Sequence, residues 1–226
     1  MRTHRDHPAV ALTAYLRNCL KITLQMTFRF PFVLILLFSF LFVGCDGDAD
    51  DTPVVTLETI SNFTGVPAYN LLQDFEFNFV TGTDPTDLLV GGYLIDDMEL
   101  LATTVVGDEP VGTEFLETRI NFSNHNPANR TLTVSVEDTE LGGATTDAYY
   151  TVSGDQFNVF AKVASIPGGI PVQTLYSFSG ELRAEGIQDI RFSLIVLDDG
   201  GNPNNNNIAQ GEGRLFIDVD GLAERQ

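Results

Sequence analysis

The sequence predicts an all-β fold, an antiparallel meander of about nine strands that closes into a barrel or stacks as a sandwich. Three observations predict it. From Val54 onward, apolar side chains recur at every second position, the repeat that sends alternate residues to opposite faces of a pleated strand. The alternating runs are divided by short turn formers such as Gly154-Asp155 and Glu185-Gly186, which join consecutive strands as hairpins. No segment sustains a helical stripe except Leu94 to Ala102. There Leu94, Met98 and Leu101 have helical spacing over too few residues to decide.

In chain order, Val54 to Ile60 is the first expected strand. Phe75, Phe77 and Phe79 then alternate with Asp74, Glu76 and Asn78. Leu116, Ile120 and Phe122 alternate with Glu117, Arg119 and Asn121, and Leu132, Val134 and Val136 with Thr131, Thr133 and Ser135. Each such run has one face for a core and one for water. Tyr149 to Ser153 and Phe157 to Val163 flank Gly154-Asp155 as a hairpin. Val172 to Arg183 is a long strand with Val172, Tyr176, Phe178 and Leu182 on one side, followed by Ile190 to Leu197. Leu215, Ile217 and Val219 close the series. Long strands of this kind hide their edges by closure or by stacking. The segment Tyr149 to Phe157 resembles hairpins of lipocalin-like barrels, although the Gly-x-Trp opening of that family is absent from a chain without tryptophan.

The amino-terminal part carries a different signal. Phe30 to Gly44 is 15 residues without a charge, and Arg29 precedes it. A bilayer-spanning helix needs about 20 apolar residues, so this run fits the core of an export signal. Phe42-Val43-Gly44-Cys45 follows, and it resembles the lipobox of bacterial lipoproteins, with Phe42 where Leu is usual. The resemblance implies that Cys45 is alkylated with diacylglycerol and becomes the first residue after cleavage. Residues 1–44 are then the signal, with Met26 as the simpler start. Residues 45–53 are an acidic tether and 54–226 a single domain. The tether, Asp46 to Pro53, has no large apolar side chain and is expected to remain a flexible spacer. Its aspartates resemble the start of a calcium loop, but Asp51 and Leu57 stand where Gly and Glu are required. The same acidic cluster resembles the surface-export signal of Bacteroidota lipoproteins, which implies an outer-membrane anchor with the domain facing the medium.

Residues 1–44 hold one of the 31 acidic side chains and five of the 12 basic ones, so the remainder has 30 against 7, a net charge of −23. Lys162 is its one lysine. That balance opposes nucleic-acid binding, which needs clustered Arg and Lys, and favours solubility by self-repulsion. Cys19 leaves with the signal, so the domain is expected to fold without a disulfide.

Catalytic groups are scarce after residue 44. His125, in Ser123-Asn124-His125-Asn126-Pro127, reads as a loop histidine in a turn. With neither a second His nor a further Cys, it cannot assemble an ordinary transition-metal site. Ser177-Phe178-Ser179-Gly180 lacks the first glycine of a nucleophile elbow. Gly211-Glu212-Gly213-Arg214 is followed by a strand where a phosphate loop needs a helix. Asp96 and Asp97 are a carboxylate pair, but neighbours on a strand point apart. Asp198, Asp199 and Asn202, in the polar loop Asp198 to Gln210, are the candidate calcium ligands, since that cation prefers carboxylate and amide oxygens; a mobile hairpin loop is the plainer alternative. Tyr149, Tyr150 and Tyr176 leave carbohydrate binding open. The chain is therefore expected to be a lipid-anchored extracytoplasmic binding or interaction domain with no catalytic residues and no required cofactor. Its ligand or protein partner is not legible, and the alternatives are an envelope-assembly role and, behind it, a hydrolase.

Overall fold

The computed structural model describes residues 55–84, 89–137, 144–166, 169–201 and 208–226. Cys45 and the leader and tether segments lie outside them. The described chain opens with helices, where a strand was expected over Val54 to Ile60. Helix α1 is Leu57–Thr64 and α2 is Val66–Asp74. Thr56 caps α1, its hydroxyl accepting from Thr59 N–H while the Thr59 hydroxyl accepts from Thr56 N–H, so two amides that lack helical partners are satisfied. Gly65 ends α1 with φ of 90°, and Pro67 sits in the first turn of α2, where its missing N–H costs nothing. These local signals outweigh the β-branched residues on which the strand expectation rested.

Ten strands follow: β1 Gly91–Ile95, β2 Met98–Thr103, β3 Thr118–Asn126, β4 Thr131–Glu137, β5 Ala144–Ser153, β6 Gln156–Ser165, β7 Val172–Leu182, β8 Gly186–Asp198, β9 Gly213–Asp218 and β10 Leu222–Arg225. Leu94 to Ala102 is thus strand, interrupted at Asp96-Asp97, and not helix. β3 to β9 pair antiparallel, each with the next. The ring closes because β10 pairs with both β1 and β8, while β9 pairs with both β8 and β2. β1 and β2 therefore make one bent stave, and β9 and β10 make another.

The register supports this description. Ile95 pairs with Thr118 in β3, and four residues further Glu99 bridges Glu114, so the segment before β3 continues along β2 without a slip. Leu100 N–H donates to Thr113 O and Phe115 N–H to Met98 O. Counted this way the barrel has eight staves, and closure leaves it without a free sheet edge along its length. Of barrel and sandwich, the chain forms the barrel.

Inward side chains fill the ring. Tyr93, Phe122, Tyr150, Phe157, Phe178, Phe192 and Phe216 are each 0–1% exposed. Phe178 stacks on Phe192 with centroids 4.9 Å apart, and Phe122 meets Phe178 edge-on at 5.7 Å, both favoured aromatic geometries. Outward residues of β3 to β5 such as Arg119, Asn121, Thr133 and Asp147 are polar and partly or fully exposed. This is the reverse of a bilayer-spanning barrel, whose outer band is apolar.

The opposite wall is apolar on both faces, because the helices lie over it. Ile60, Leu71 and Leu72 pack with Phe160, Leu175, Ile195 and Leu215 in a second core outside the ring. The Phe75, Phe77 and Phe79 run, expected to be a strand, belongs to this layer as an extended strap. The Asn158 side chain clips it, accepting from Val80 N–H at 2.5 Å and donating to Asn78 O at 2.7 Å. The alternation in that run is therefore real, but its backbone partner is a side chain of β6. Val219, expected to lie in a core face, is 55% exposed, and so is Leu116. β9 turns Phe216 inward and Leu215 toward the helices, which inverts the face that its odd-numbered residues suggested.

Replacing Asn158 with Ala leaves Val80 N–H and Asn78 O without that partner, and unsatisfied buried groups cost about 1–3 kcal/mol. Urea unfolding is expected to show a loss of that size, and limited proteolysis faster cutting in residues 75–84.

Candidate functional site

Where the two bent staves change direction, four aspartates gather. Asp96 and Asp97 fill the break between β1 and β2, and Asp218-Val219-Asp220-Gly221 spans the break between β9 and β10. Backbone contacts hold the breaks together: Val219 N–H donates to Asp97 O and Asp189 N–H to Gly221 O, each at 3.0 Å. Carboxylate oxygens of Asp96, Asp218 and Asp220 all lie within 4.8 Å of one another. Asp218 pairs with Met98, and cross-strand partners share a face. Met98 lies in the barrel core, so Asp218 faces the same way and is only 5% exposed. Both of its carboxylate oxygens are buried, and among the described residues no donor reaches either of them.

Burial, followed by a side-chain hydrogen bond with Asp220 and the negative charges of Asp220, Asp96 and Asp97, pushes the Asp218 carboxyl up to about 7 from an ordinary 3.8. Asp220 differs. It is exposed, and one of its oxygens accepts from Leu222 N–H at 3.1 Å, a turn-capping role that leaves the other available. The cluster can therefore hold a proton on Asp218 or share a cation among three oxygen donors.

The residues singled out from sequence are dispersed. Asp198 accepts from Gly200 N–H, and Asp199 from Gly201 N–H and Gln210 N–H, so both spend oxygens on shaping their own loop. Asn202 lies outside the described residues. His125 is not in a turn but near the end of β3, half-buried, with Nε2 2.5 Å from the Tyr150 hydroxyl. The turn that follows is capped by Asn126, which accepts from Ala128 and Asn129 N–H.

Ser177 and Ser179 are buried within β7, away from any strand-to-helix turn. Gly213 starts β9, as expected of a strand there, and Arg214 is ion-paired with Asp108. Tyr150 and Tyr176 are interior side chains and Tyr149 stacks on Phe63, so the three form no common platform for a sugar. Asp96 was visible as half of a carboxylate pair. Its partners are 122 and 124 positions further along the chain, and only ring closure brings them together.

A second feature lies on the outer wall. The strap and β6 to β8 enclose an open polar cleft of about 450 Å³ lined by Glu76, Asn78, Gln156, Glu181, Asp189 and Arg191, among others. Arg191 donates to Glu76 O at 2.7 Å across it. Comparison with protein-family models, with curated proteins and with solved structures finds no match to this chain.

The titration of Asp218 has a definite sign. Its folded-state value lies above the unfolded one, so its contribution is fully present below about pH 4 and is lost as pH rises through about 7. In metal-free buffer the melting temperature is expected to fall between pH 5 and 8. Calorimetry of Asp218→Asn is expected to show that fall flattened, and an unchanged slope would refute the assignment.

Proposed function

We propose that this chain is a bacterial lipoprotein, held by diacylglycerol on Cys45, whose acidic β-barrel acts as an extracytoplasmic binding or interaction domain at the outer membrane. The amino-terminal pattern supports the anchor: an apolar run flanked by Arg29 and ended by Gly44-Cys45. The polar outer wall of β3 to β5 supports a domain that stands in water and is tethered, rather than one embedded in lipid.

The observation that carries the binding reading is the polar cleft on the outer wall, and the filled interior counts against a ligand held inside the barrel. Seven aromatic side chains of 0–1% exposure occupy the space where many barrels hold an apolar ligand. A partner is therefore met from outside, and the cleft between the strap and β6 to β8 offers converging carboxylate, amide and guanidinium groups. A binding role also fits the placement of the nucleophile and base candidates. Ser177 and Ser179 lie in the wall, and His125 sits against Tyr150.

Mass spectrometry of the protein recovered from bacterial membranes tests the anchor. A mature chain beginning at an acylated Cys45 is expected, and Cys45→Ser is expected to retain residues 1–44. The filled interior makes an equally definite demand, namely that an apolar fluorophore shows no saturable one-to-one uptake by the native domain. Stoichiometric uptake would replace surface binding with an interior-ligand role.

A further inference from the structure

We propose that Asp96, Asp218 and Asp220 form a binding site for a hard divalent cation, calcium, which ties together the two bent staves that close the barrel. The site takes no ligand from the loop aspartates Asp198 and Asp199 or from the residues that line the outer cleft. It adds a requirement to the domain whatever its partner is.

Geometry comes first. Three oxygens no more than 4.8 Å apart always share a point within about 2.8 Å of each, against Ca–O distances of 2.3–2.6 Å, so small side-chain shifts suffice. Asp218 is the second, independent observation. Turn capping accounts for one oxygen of Asp220, but among the described residues no donor reaches the two buried oxygens of Asp218, and its one side-chain hydrogen bond, with the Asp220 carboxylate, needs a proton held between two acids. A buried carboxylate without a partner is costly, and proteins resolve such groups by protonation, by pairing or by a metal. The groups gathered beside it are the carboxylates of Asp96 and Asp220, so a cation from solution supplies the missing counter-charge.

The donor set selects the ion. All three ligands are carboxylates, which disfavours zinc and copper relative to calcium or magnesium. Asp96 and Asp220 are exposed, leaving room for the waters that complete six to eight ligands. The ligands come from two irregular breaks rather than from one rigid loop, and calcium tolerates irregular coordination where magnesium demands a near-ideal octahedron.

The test uses the full chain, purified in detergent and stripped with a chelator. Titration calorimetry is expected to show one calcium per chain with a Kd of about 10⁻⁴–10⁻³ M. At ten times that Kd the melting temperature is expected to rise by about 3–6 °C. Asp218→Asn is expected to melt no lower than wild type without metal and to lose the calcium-dependent rise. Asp220→Asn, at an exposed position, is expected to weaken binding about tenfold or more, and it decides the question if the Asp218 variant does not fold. Asp198→Asn is expected to respond like wild type. An equal rise with magnesium at matched ionic strength would assign the effect to screening of the acidic chain and overturn the site. So would a wild-type response in Asp220→Asn, or loss of the response in Asp198→Asn.

Discussion

Everything in this domain depends on a single ring of hydrogen bonds being completed by its last strand. Seven staves could form by hairpin pairing alone, but an open sheet of that length leaves two unpaired edges and an uncovered apolar face. The stave made from β9 and β10 removes both edges by pairing with β8 on one side and with β1 and β2 on the other. It does so only by bending, and the bend is where the structure departs from regular sheet. The placements of Asp96, Asp218 and Gly221 are consequences of closure before they are anything else.

Closure also fixes what the interior contains. An eight-stranded barrel encloses just enough volume for side chains or one small ligand, and here the aromatic stack from Phe122 through Phe178 and Phe192 to Phe216 takes it. Asp108, among the most buried of the paired carboxylates, is held by Arg214, and burial, which would raise its carboxyl, is outweighed by bonds to Arg214 and Thr103 so that it lies below its ordinary value. Asp218 has no such cation beside it. Two buried aspartates of one barrel thus sit on opposite sides of their usual range because one has a guanidinium neighbour and the other has only carboxylates.

How much of this was legible depends on whether the deciding contact is local. β4 could be read from Leu132-Val134-Val136 because one inward face against a packed core imposes a clean period of two, and β6 and β7 keep their inward sets at Phe157-Val159 and Phe178-Leu182 although the helices cover their outer faces. The helices were not legible because Val54 to Ile60 is rich in β-branched residues, and its cap at Thr56 and the Gly65-x-Pro67 junction are weaker signals than that composition. Phe75 to Phe79 misled differently. An extended strap on an apolar wall needs the same alternation as a strand, and only Asn158, about 80 positions away, reveals that it is none. At β9 the covering helices make both faces apolar, so Leu215-Ile217-Val219 could not be distinguished from Phe216-Asp218 as the inward set. The acidic cluster was illegible for the simplest reason: no spacing along the chain relates Asp96 to Asp218.

The strand β10 has a bearing on how the ring stays closed. Gln226 N–H donates to Gly92 O, Arg225 N–H to Glu185 O, and the Arg225 guanidinium reaches the Tyr93 hydroxyl at 2.9 Å. β10 has only four residues, yet it pairs with β1 on one side and β8 on the other. A substitution that unseats it opens the ring along that half while β9 still holds β2 and β8, so the two halves of the seam can fail separately.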